Sequence, residues 1–232
     1  MHTEIDQDRG LLYRAGGISA VSLGIAYIAI IALYVRTGVP PGAIDARLEY
    51  LSGNTRAWWT ILGLSVLTDF LFMPLSLALY FALKEVSRTV MLFATVCVAL
   101  FVVLDLAITW TNYASLITLS GQYAQSVTEA QKAAVITAAT YPSVVLRSGL
   151  LFVFNTLVLA VGILLIGIVM LKGGFGKSVA YLGLATGILG IVSVVGPFFV
   201  EALSATIIFT SILTTIWVFF VGSRLYKLAR QY

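Results

Sequence analysis

Residues 69–110 read DFLFMPLSLALYFALKEVSRTVMLFATVCVALFVVLDLAITW, and this stretch decides the fold. Two apolar runs flank a single charged segment, residues 84–88. Followed to their apolar limits, the runs cover about residues 57–83 and 90–113, and a membrane crossing needs about 20 apolar residues. Because only a short turn joins them, we expect a tight hairpin of two antiparallel transmembrane helices.

Apolar runs on both sides of this hairpin predict four more transmembrane helices. They cover about residues 11–35, 143–171, 178–198 and 202–222. Continuous apolar character supports each helix. The sequence therefore predicts an all-α polytopic membrane protein, a single domain over residues 1–232 built as a six-helix bundle.

Two connecting segments carry local signals. Residues 38–42 contain two glycines and two prolines, which predicts a turn-rich loop. Thr128 and Gln131 have the spacing of a capping box, so we expect a short interfacial helix over residues 128–140. This helix could be a connector on the bilayer surface or a lid over a cavity.

Composition and charge placement favour a membrane protein over a nucleic-acid binder. Sixty per cent of the residues are hydrophobic and 10% are charged, whereas a soluble domain has about 25% charged residues. The Lys and Arg residues lie at the ends of the apolar runs and form no basic stripe. Membrane lipids are therefore expected partners, and nucleic acid is not.

The same cations predict the orientation, because cytoplasmic loops carry an excess of Lys and Arg. The side opposite the termini carries five: Arg36, Arg47, Arg56, Lys132 and Arg147. The side of the termini carries nine: Arg9, Arg14, Lys84, Arg88, Lys172, Lys177, Arg224, Lys227 and Arg230. We expect both termini in the cytoplasm.

Metal and cofactor chemistry has few candidate residues in this chain. His2 is the only histidine and Cys97 the only cysteine, so one chain cannot supply a bis-histidine haem or a thiolate zinc site. The sequence contains no G-x-S-x-G elbow, no HExxH motif and no Walker loop. We expect no metal and no cofactor, and the catalytic residues of any enzyme activity stay unknown.

Two carboxylates lie inside the predicted membrane spans. Asp69 is near the middle of the second predicted helix, and Asp105 is slightly beyond the middle of the third. Counted at about 1.5 Å per residue, their depths agree within about one helical turn, so they could share one site. Two close carboxyl groups in a low dielectric do not both ionise readily, and a shared proton is one possible state. Alternatively, Asp69 is neutral, hydrogen-bonded to Thr68, to Ser65 or to a neighbouring helix, and serves only packing.

Four further polar residues belong to the same outer half of the predicted bundle. They are Asn112, Arg147, Asn155 and Glu201. Together with the two aspartates they could line an outward-facing polar cavity that binds a ligand or a proton. Arg147 is the natural counter-ion for Asp105 or Glu201, or else an interfacial anchor whose side chain snorkels.

Small and aromatic residues predict helix contacts and membrane boundaries. Gly183 and Gly187 form a GxxxG spacing, and residues 16, 20 and 24 form a similar stripe, so close helix packing is expected within the bundle or between protomers. An aromatic belt is expected at both interfaces. Its predicted members are Trp58, Trp59, Trp110, Trp217 and Tyr226.

Three stretches carry a family resemblance. They are RAGGISAVSLGIAYI from residue 14, DFLFMPLSLALYFALKEVSRTV from residue 69, and GGFGKSVAYLGLATGILGIV from residue 173. In these stretches the chain resembles the six-helix prokaryotic membrane proteins grouped as domain of unknown function 4386. The resemblance implies six helices and a prokaryotic plasma membrane, and it transfers no catalytic role.

Three functions are compatible with these features. The first is a non-enzymatic protein that binds, senses or moves a small or lipidic ligand through the polar cavity. The second is an intramembrane enzyme that uses Asp69 and Asp105 as acid and base on a lipid or peptide. The third is a structural subunit of a homo-oligomer or larger complex, which the glycine stripes would serve. The sequence favours the first.

Overall fold

The computed structural model describes the backbone of residues 2–232 and the side chains of residues 8–232, so the side chain of His2 lies outside the described part. Within these limits the chain is helical and contains no β-strand. The α-helices are α1 His2–Thr37, α2 Ile44–Gly53, α3 Thr55–Leu104, α4 Thr111–Gln125, α5 Glu129–Val145, α6 Gly149–Phe152, α7 Val158–Lys172, α8 Lys177–Val195 and α9 Thr206–Ala229. Two π-helical segments, Asp105–Trp110 and Val153–Leu157, and two 3-10 turns, Gly196–Phe198 and Glu201–Ala205, complete the order.

Five of the described helical runs are long and apolar enough to cross a membrane, as expected of a multi-pass membrane protein. They are Asp8–Thr37, Thr55–Gln125, Gly149–Lys172, Lys177–Phe198 and Glu201–Ala229. The prediction of an all-α membrane protein is thereby confirmed. Each run keeps its backbone hydrogen bonds within the helix, which is what hydrocarbon demands of a spanning segment.

The run Thr55–Gln125 folds back on itself. Its 71 residues would extend about 105 Å as a straight helix. At Ser87 the backbone leaves the helical region (φ −160°, ψ 96°), whereas it stays helical through Pro74. Side chains at similar sequence distances on either side of Ser87 then meet, namely Trp58 with Tyr113, Asp69 with Trp110 and Phe72 with Phe101. The two arms are antiparallel, and the chain reverses at Ser87 rather than at Pro74.

The structure corrects several predicted boundaries. The third predicted helix, 90–113, continues to Gln125, and the fourth begins at Gly149 because residues 143–145 still belong to α5. Helix α9 begins at Thr206 after a 3-10 turn and runs to Ala229, seven residues past the predicted end. A continuous apolar run identifies only the part of a helix that faces hydrocarbon. A prediction based on it therefore omits polar turns that extend the helix into water.

A cap with its own core lies at one end of the bundle, and the sequence did not predict it. Helix α2, in the segment between the first two predicted transmembrane helices, packs with α4 and α5. The core of the cap contains Ile30, Leu48, Leu51, Trp58, Ile61, Leu116, Ile117 and Ala139, all buried. The capping box of Thr128 and Gln131 forms as predicted, but α5 lies in this cap and runs past Pro142 to Val145. We call this end of the molecule the cap end.

The opposite end carries both termini. The rings of Tyr13 and Tyr232 lie 5.7 Å apart. The turn at Gly173 approaches the side chain of Leu83, four residues before the break at Ser87. We call this the terminal end, and the nine-residue cationic group defined above flanks it.

The glycine stripes hold the helices together at short range inside one chain. A Cβ on Gly187 would lie 2.6 Å from the Leu164 Cβ, and one on Gly183 would lie 2.9 Å from the Trp217 Nε1. A Cβ on Gly24 would lie 2.7 Å from the ring of Phe219. The predicted close contacts are therefore intramolecular, and they join α7 to α8, α8 to α9 and α1 to α9.

Substitution of Gly187 by Ala tests this packing. The new methyl group would meet the Leu164 Cα and backbone nitrogen, each 2.7 Å away, which cannot swing aside as a side-chain tip can. We expect Gly187→Ala to lower the free energy of unfolding by about 1–3 kcal/mol, measured by denaturant titration in detergent micelles. Gly63→Ala is the matched control, since nothing lies within 4 Å of its added Cβ. Equal effects of the two substitutions would contradict the packing argument.

Candidate functional site

A cavity of about 350 Å³ lies inside the bundle, in the half nearer the cap. Its wall comes from α1, both arms of the α3 hairpin, both π segments, α7, α8 and α9. The polar lining residues are Tyr27, Tyr34, Ser65, Thr68, Asp69, Asp105, Trp110, Asn155, Thr156, Thr186, Thr210, Ser211, Thr214 and Thr215. Three of the six residues predicted from the sequence, Asp69, Asp105 and Asn155, therefore meet at one cavity.

Asp69 is 2% exposed and has a specific partner. Its Oδ2 accepts a hydrogen bond of 2.9 Å from the indole Nε1 of Trp110. The neighbouring Thr68 hydroxyl donates instead to the Ser65 carbonyl, at 2.7 Å. Asp69 therefore pairs with neither Thr68 nor Ser65. Its partner lies on a neighbouring helix, which was the third possibility, and the carboxyl group ties one arm of the hairpin to the other.

Asp105 is equally buried but incompletely paired. It is 5% exposed, and its Oδ1 has no hydrogen-bond partner among the described groups. The hydroxyl of Thr109, one turn further along, is also buried and without a partner. A buried polar atom without a partner costs about 1–3 kcal/mol, so both groups call for an explanation. Of the two residues, Asp105 lines the cavity and Thr109 does not.

The first π segment explains how one helix presents both groups. Asp105 and Trp110 are five residues apart, and in an α-helix residues at that spacing point in different directions. The i to i+5 bonding of a π turn widens the helix and brings them toward the same side. The local change in helix type therefore places the indole donor and the second carboxyl group on one wall.

The second π segment contributes further polar groups to the cavity wall. Asn155 and Thr156 lie within Val153–Leu157, and both line the cavity. The Thr156 hydroxyl donates to the Asn155 Oδ1 at 2.8 Å. The two π segments contact each other, so both departures from α-helical geometry occur at the same site.

The other three predicted residues lie away from the cavity. Asn112 donates its side-chain amide to the Ile108 carbonyl at 2.6 Å, and Glu201 is exposed in a 3-10 turn. Arg147 is exposed beside Gly42. Among residues 8–232 the single ion pair within 4.0 Å is Lys132 with Glu129, so the predicted pairing of Arg147 with Asp105 or Glu201 is wrong. Sequence depth alone could not show that Arg147 belongs to the cap.

Helix α9 supplies the residues that the sequence analysis missed. Thr210, Ser211, Thr214 and Thr215 all line the cavity. Their i, i+1, i+4, i+5 spacing puts them on one face of an otherwise apolar helix, and this pattern was visible in the sequence. Interhelical hydroxyl groups are common in membrane bundles, and for that reason the pattern did not stand out.

Aromatic rings separate the cavity from the core of the cap. Trp110 stacks on Tyr113 with ring centroids 5.7 Å apart, and Tyr113 stacks on Trp58 at 5.5 Å. Tyr34 meets Trp58 edge to face, also at 5.5 Å. The predicted aromatic belt is thus wrong for Trp58, which is 1% exposed, and for Trp110, which binds Asp69.

The belt prediction also fails for Trp217, which is buried against the glycines of α8. Trp59 and Tyr226 are exposed, as belt residues would be. Tyr226 lies beneath the Arg230 guanidinium, 5.1 Å from ring centroid to cation. An indole contributes large apolar area, and hydropathy alone does not say whether lipid or protein covers it.

Charged groups outside the spans have ordinary surface roles. Burial lowers the pKa of the Arg47 guanidinium, and the nearby Arg147 cation lowers it further. Its Nε donates to the Pro41 carbonyl at 3.1 Å and so anchors the start of α2. The hydrogen bond to the Glu129 carboxylate raises the pKa of Lys132. None of these cations lines the cavity.

Comparison of the chain with protein-family models, curated proteins and solved structures finds no significant match. The resemblance to domain of unknown function 4386 stays a prediction. The cavity and its chemistry are therefore the basis for a functional assignment.

Trp110→Phe tests the link between the hairpin arms. The substitution keeps an aromatic ring but leaves the Asp69 Oδ2 buried without a donor, and we expect a loss of about 1–3 kcal/mol in the free energy of unfolding. Trp59→Phe, at a 44% exposed site, is the control and should have little effect. The double variant Asp69→Leu, Trp110→Phe should be less destabilised than the sum of its single variants, because it removes both partners. Strict additivity would show that the bond contributes nothing.

Proposed function

We propose that this protein binds a small or lipidic ligand in the cavity beside Asp69 and Asp105, in order to sense or move it across the plasma membrane. The observation that carries the proposal is Asp105, a residue of the cavity wall whose buried Oδ1 has no hydrogen-bond partner among the described groups. A ligand would provide the missing partner.

The energetic argument rests on what a purely structural carboxyl group would need. Ionisable groups at membrane depth cost a few kcal/mol unless they are paired, so a packing role favours full satisfaction. Asp69 has a hydrogen-bond donor in Trp110, whereas the Oδ1 of Asp105 has no partner among the described groups. A cavity of about 350 Å³ next to the unsatisfied oxygen lies within the common size range of small-ligand sites.

The two π segments support the same assignment. Single π turns within α-helices are uncommon and occur frequently at functional sites. Here both of them contribute polar side chains to one cavity. A bundle that required only stable packing could have used uninterrupted α-helices at both places.

We also propose six membrane crossings with both termini in the cytoplasm. Counting the two arms of Thr55–Gln125 separately turns the five apolar runs into six segments, which agrees with the position of both termini at one end. The excess of Lys and Arg at the terminal end favours the cytoplasm for that end. The cavity would then lie in the outer half of the membrane.

Single cysteines in a Cys97→Ala background test this topology. Gly53 and Gly174 are exposed, and nothing lies within 4 Å of an added Cβ at either position, so they form a matched pair at opposite ends. In intact cells we expect a membrane-impermeant maleimide to label Gly53→Cys but not Gly174→Cys or Arg88→Cys. Permeabilised cells should show labelling at all three positions. Labelling of Arg88→Cys before permeabilisation would exclude the proposed hairpin topology.

Accessibility of the cavity is tested in the same background. Thr214 lines the cavity, whereas Ser76 is buried on α3 outside it. In lipid nanodiscs we expect N-ethylmaleimide to modify Thr214→Cys at least about tenfold faster than Ser76→Cys, because thiol reactivity requires access. Equally slow modification at both positions would show a sealed interior and would end the ligand-binding proposal.

A further inference from the structure

Five Ser and Thr hydroxyl groups of the cavity wall can act only as hydrogen-bond acceptors toward a ligand. Thr186, Thr210, Ser211, Thr214 and Thr215 each donate their proton to a carbonyl one turn earlier in their own helix, at 2.8–3.0 Å. A hydroxyl whose proton is engaged in this way retains its oxygen lone pairs for a ligand. The wall has fewer free donors than free acceptors. Its donors without a partner among the described groups include the hydroxyls of Tyr27 and Tyr34 and the amide nitrogen of Asn155.

The wall contains carboxyl groups but no basic side chain. Asp69 and Asp105 line the cavity, whereas none of the described lining residues is Lys, Arg or His. Each aspartate is at most 5% exposed, so counter-ions in water do not reach it. A ligand that carries a positive charge would stabilise the ionised form of these carboxyl groups, and an anion would find no positive partner in a medium of low dielectric.

Aromatic rings give the wall a second feature that favours cations. Tyr27, Tyr34, Phe101 and Trp110 contribute ring surface to the same cavity. The negative face of an aromatic ring attracts ammonium groups, and such sites prefer organic cations over hydrated metal ions. A metal ion would need a tight shell of about six oxygens, and the described residues hold no cluster of three or more Asp, Glu, His or Cys.

The exposed residues of the lining indicate an opening at the side of the bundle. Among the lining residues, Ile31 on α1 and Ser211 on α9 are exposed, and the others are buried or half-buried. The two lie across from each other, because the antiparallel α1 and α9 already pair Gly17 with Gly222 and Gly24 with Phe219. Ile31 is six residues before the end of α1, about 9 Å along the helix axis.

The surface around this opening is apolar. Ile28, one turn from Ile31, is 54% exposed, and Ile212, next to Ser211, is 46% exposed. A ligand that passes between α1 and α9 would therefore come from the hydrocarbon of the leaflet at the cap end. Only a molecule with an apolar part partitions there.

We infer that the ligand is an amphipathic organic cation, with an ammonium-type head that binds between Asp69 and Asp105 and an apolar part that enters sideways between α1 and α9. This inference rests on the proposed ligand-binding function and specifies its ligand class. The acidic, acceptor-rich, aromatic wall determines the head group, and the lateral opening determines the apolar part.

Protection of a cavity cysteine provides the test. The protein is Cys97→Ala, Thr214→Cys in lipid nanodiscs, and the probes are decyltrimethylammonium, decanol and decyl sulfate, each below its micellar concentration. We expect decyltrimethylammonium, at about ten times its dissociation constant, to slow N-ethylmaleimide modification about tenfold, because bound ligand leaves about one site in eleven free. Decanol should protect weakly and decyl sulfate not at all.

Charge variants identify the groups that hold the head. Asp105→Asn should abolish protection by the cation, and Asp105→Glu should retain most of it. In both variants N-ethylmaleimide alone should modify Thr214→Cys at the unchanged rate, which shows that the fold and the cavity persist. The cation inference would be overturned if decyltrimethylammonium protected the cysteine fully in both Asp69→Asn and Asp105→Asn. It would also be overturned if decyl sulfate protected the cysteine as well as decyltrimethylammonium does. Either result would leave a ligand-accessible cavity in place. Failure of N-ethylmaleimide to reach Thr214→Cys at all would instead overturn the proposed function.

The route is tested by narrowing the opening. Ile31→Trp places a large ring at the opening, and Ile25→Trp places the same ring at an exposed α1 position outside the cavity lining. We expect protection by decyltrimethylammonium to develop more slowly in Ile31→Trp than in Ile25→Trp. Equal rates of onset in the two variants would exclude the lateral route.

Discussion

The hydrogen bond from the Trp110 indole to the Asp69 carboxyl group, 2.9 Å long, joins the two arms of the central hairpin at the depth of the cavity. In hydrocarbon a carboxyl group without a donor is costly, so this contact fixes the register of the arms as well as satisfying a charge-bearing group. It also requires the π segment Asp105–Trp110, because only the wider turn brings the indole and the second carboxyl group to one side. The position of Asp105, and hence the chemistry of the cavity, follows from that single contact.

The distribution of glycine explains why the cavity lies where it does. Gly16, Gly17 and Gly24 let α1 approach its neighbours closely in the half near the termini, and beyond Gly24 the helix has no glycine until Gly38. In α8 the small residues continue through Gly190, which keeps α7 and α8 in contact along their length. Helices α1 and α9 therefore pack tightly toward the termini. Nearer the cap, both helices contribute residues to the cavity, and the hydroxyl face of α9 lines it.

The cap closes this space from above with aromatic rings. Trp58, Tyr113 and Trp110 form a continuous stack, and Tyr34 connects it to α1. The exposed residues of the cavity lining, Ile31 and Ser211, lie at the side of the bundle. An acidic wall with intrahelically bonded hydroxyls, reached from the leaflet, combines the features that select an amphipathic cation, and each of these features depends on a different helix.

The sequence by itself determined the helical membrane architecture, the hairpin around residues 84–88, the capping box at Thr128 and the common depth of Asp69 and Asp105. These depend on local composition and on helical rise, which the chain encodes residue by residue. Only the tertiary structure decided that Asn155 joins the two aspartates while Arg147, Asn112 and Glu201 do not, that Trp58 and Trp217 face protein, and that α2 belongs to a folded cap. Rotation about a helix axis and the choice between lipid and protein as neighbour depend on contacts between distant segments, and the π turns that aim Asp105 and Asn155 form only where such contacts favour them.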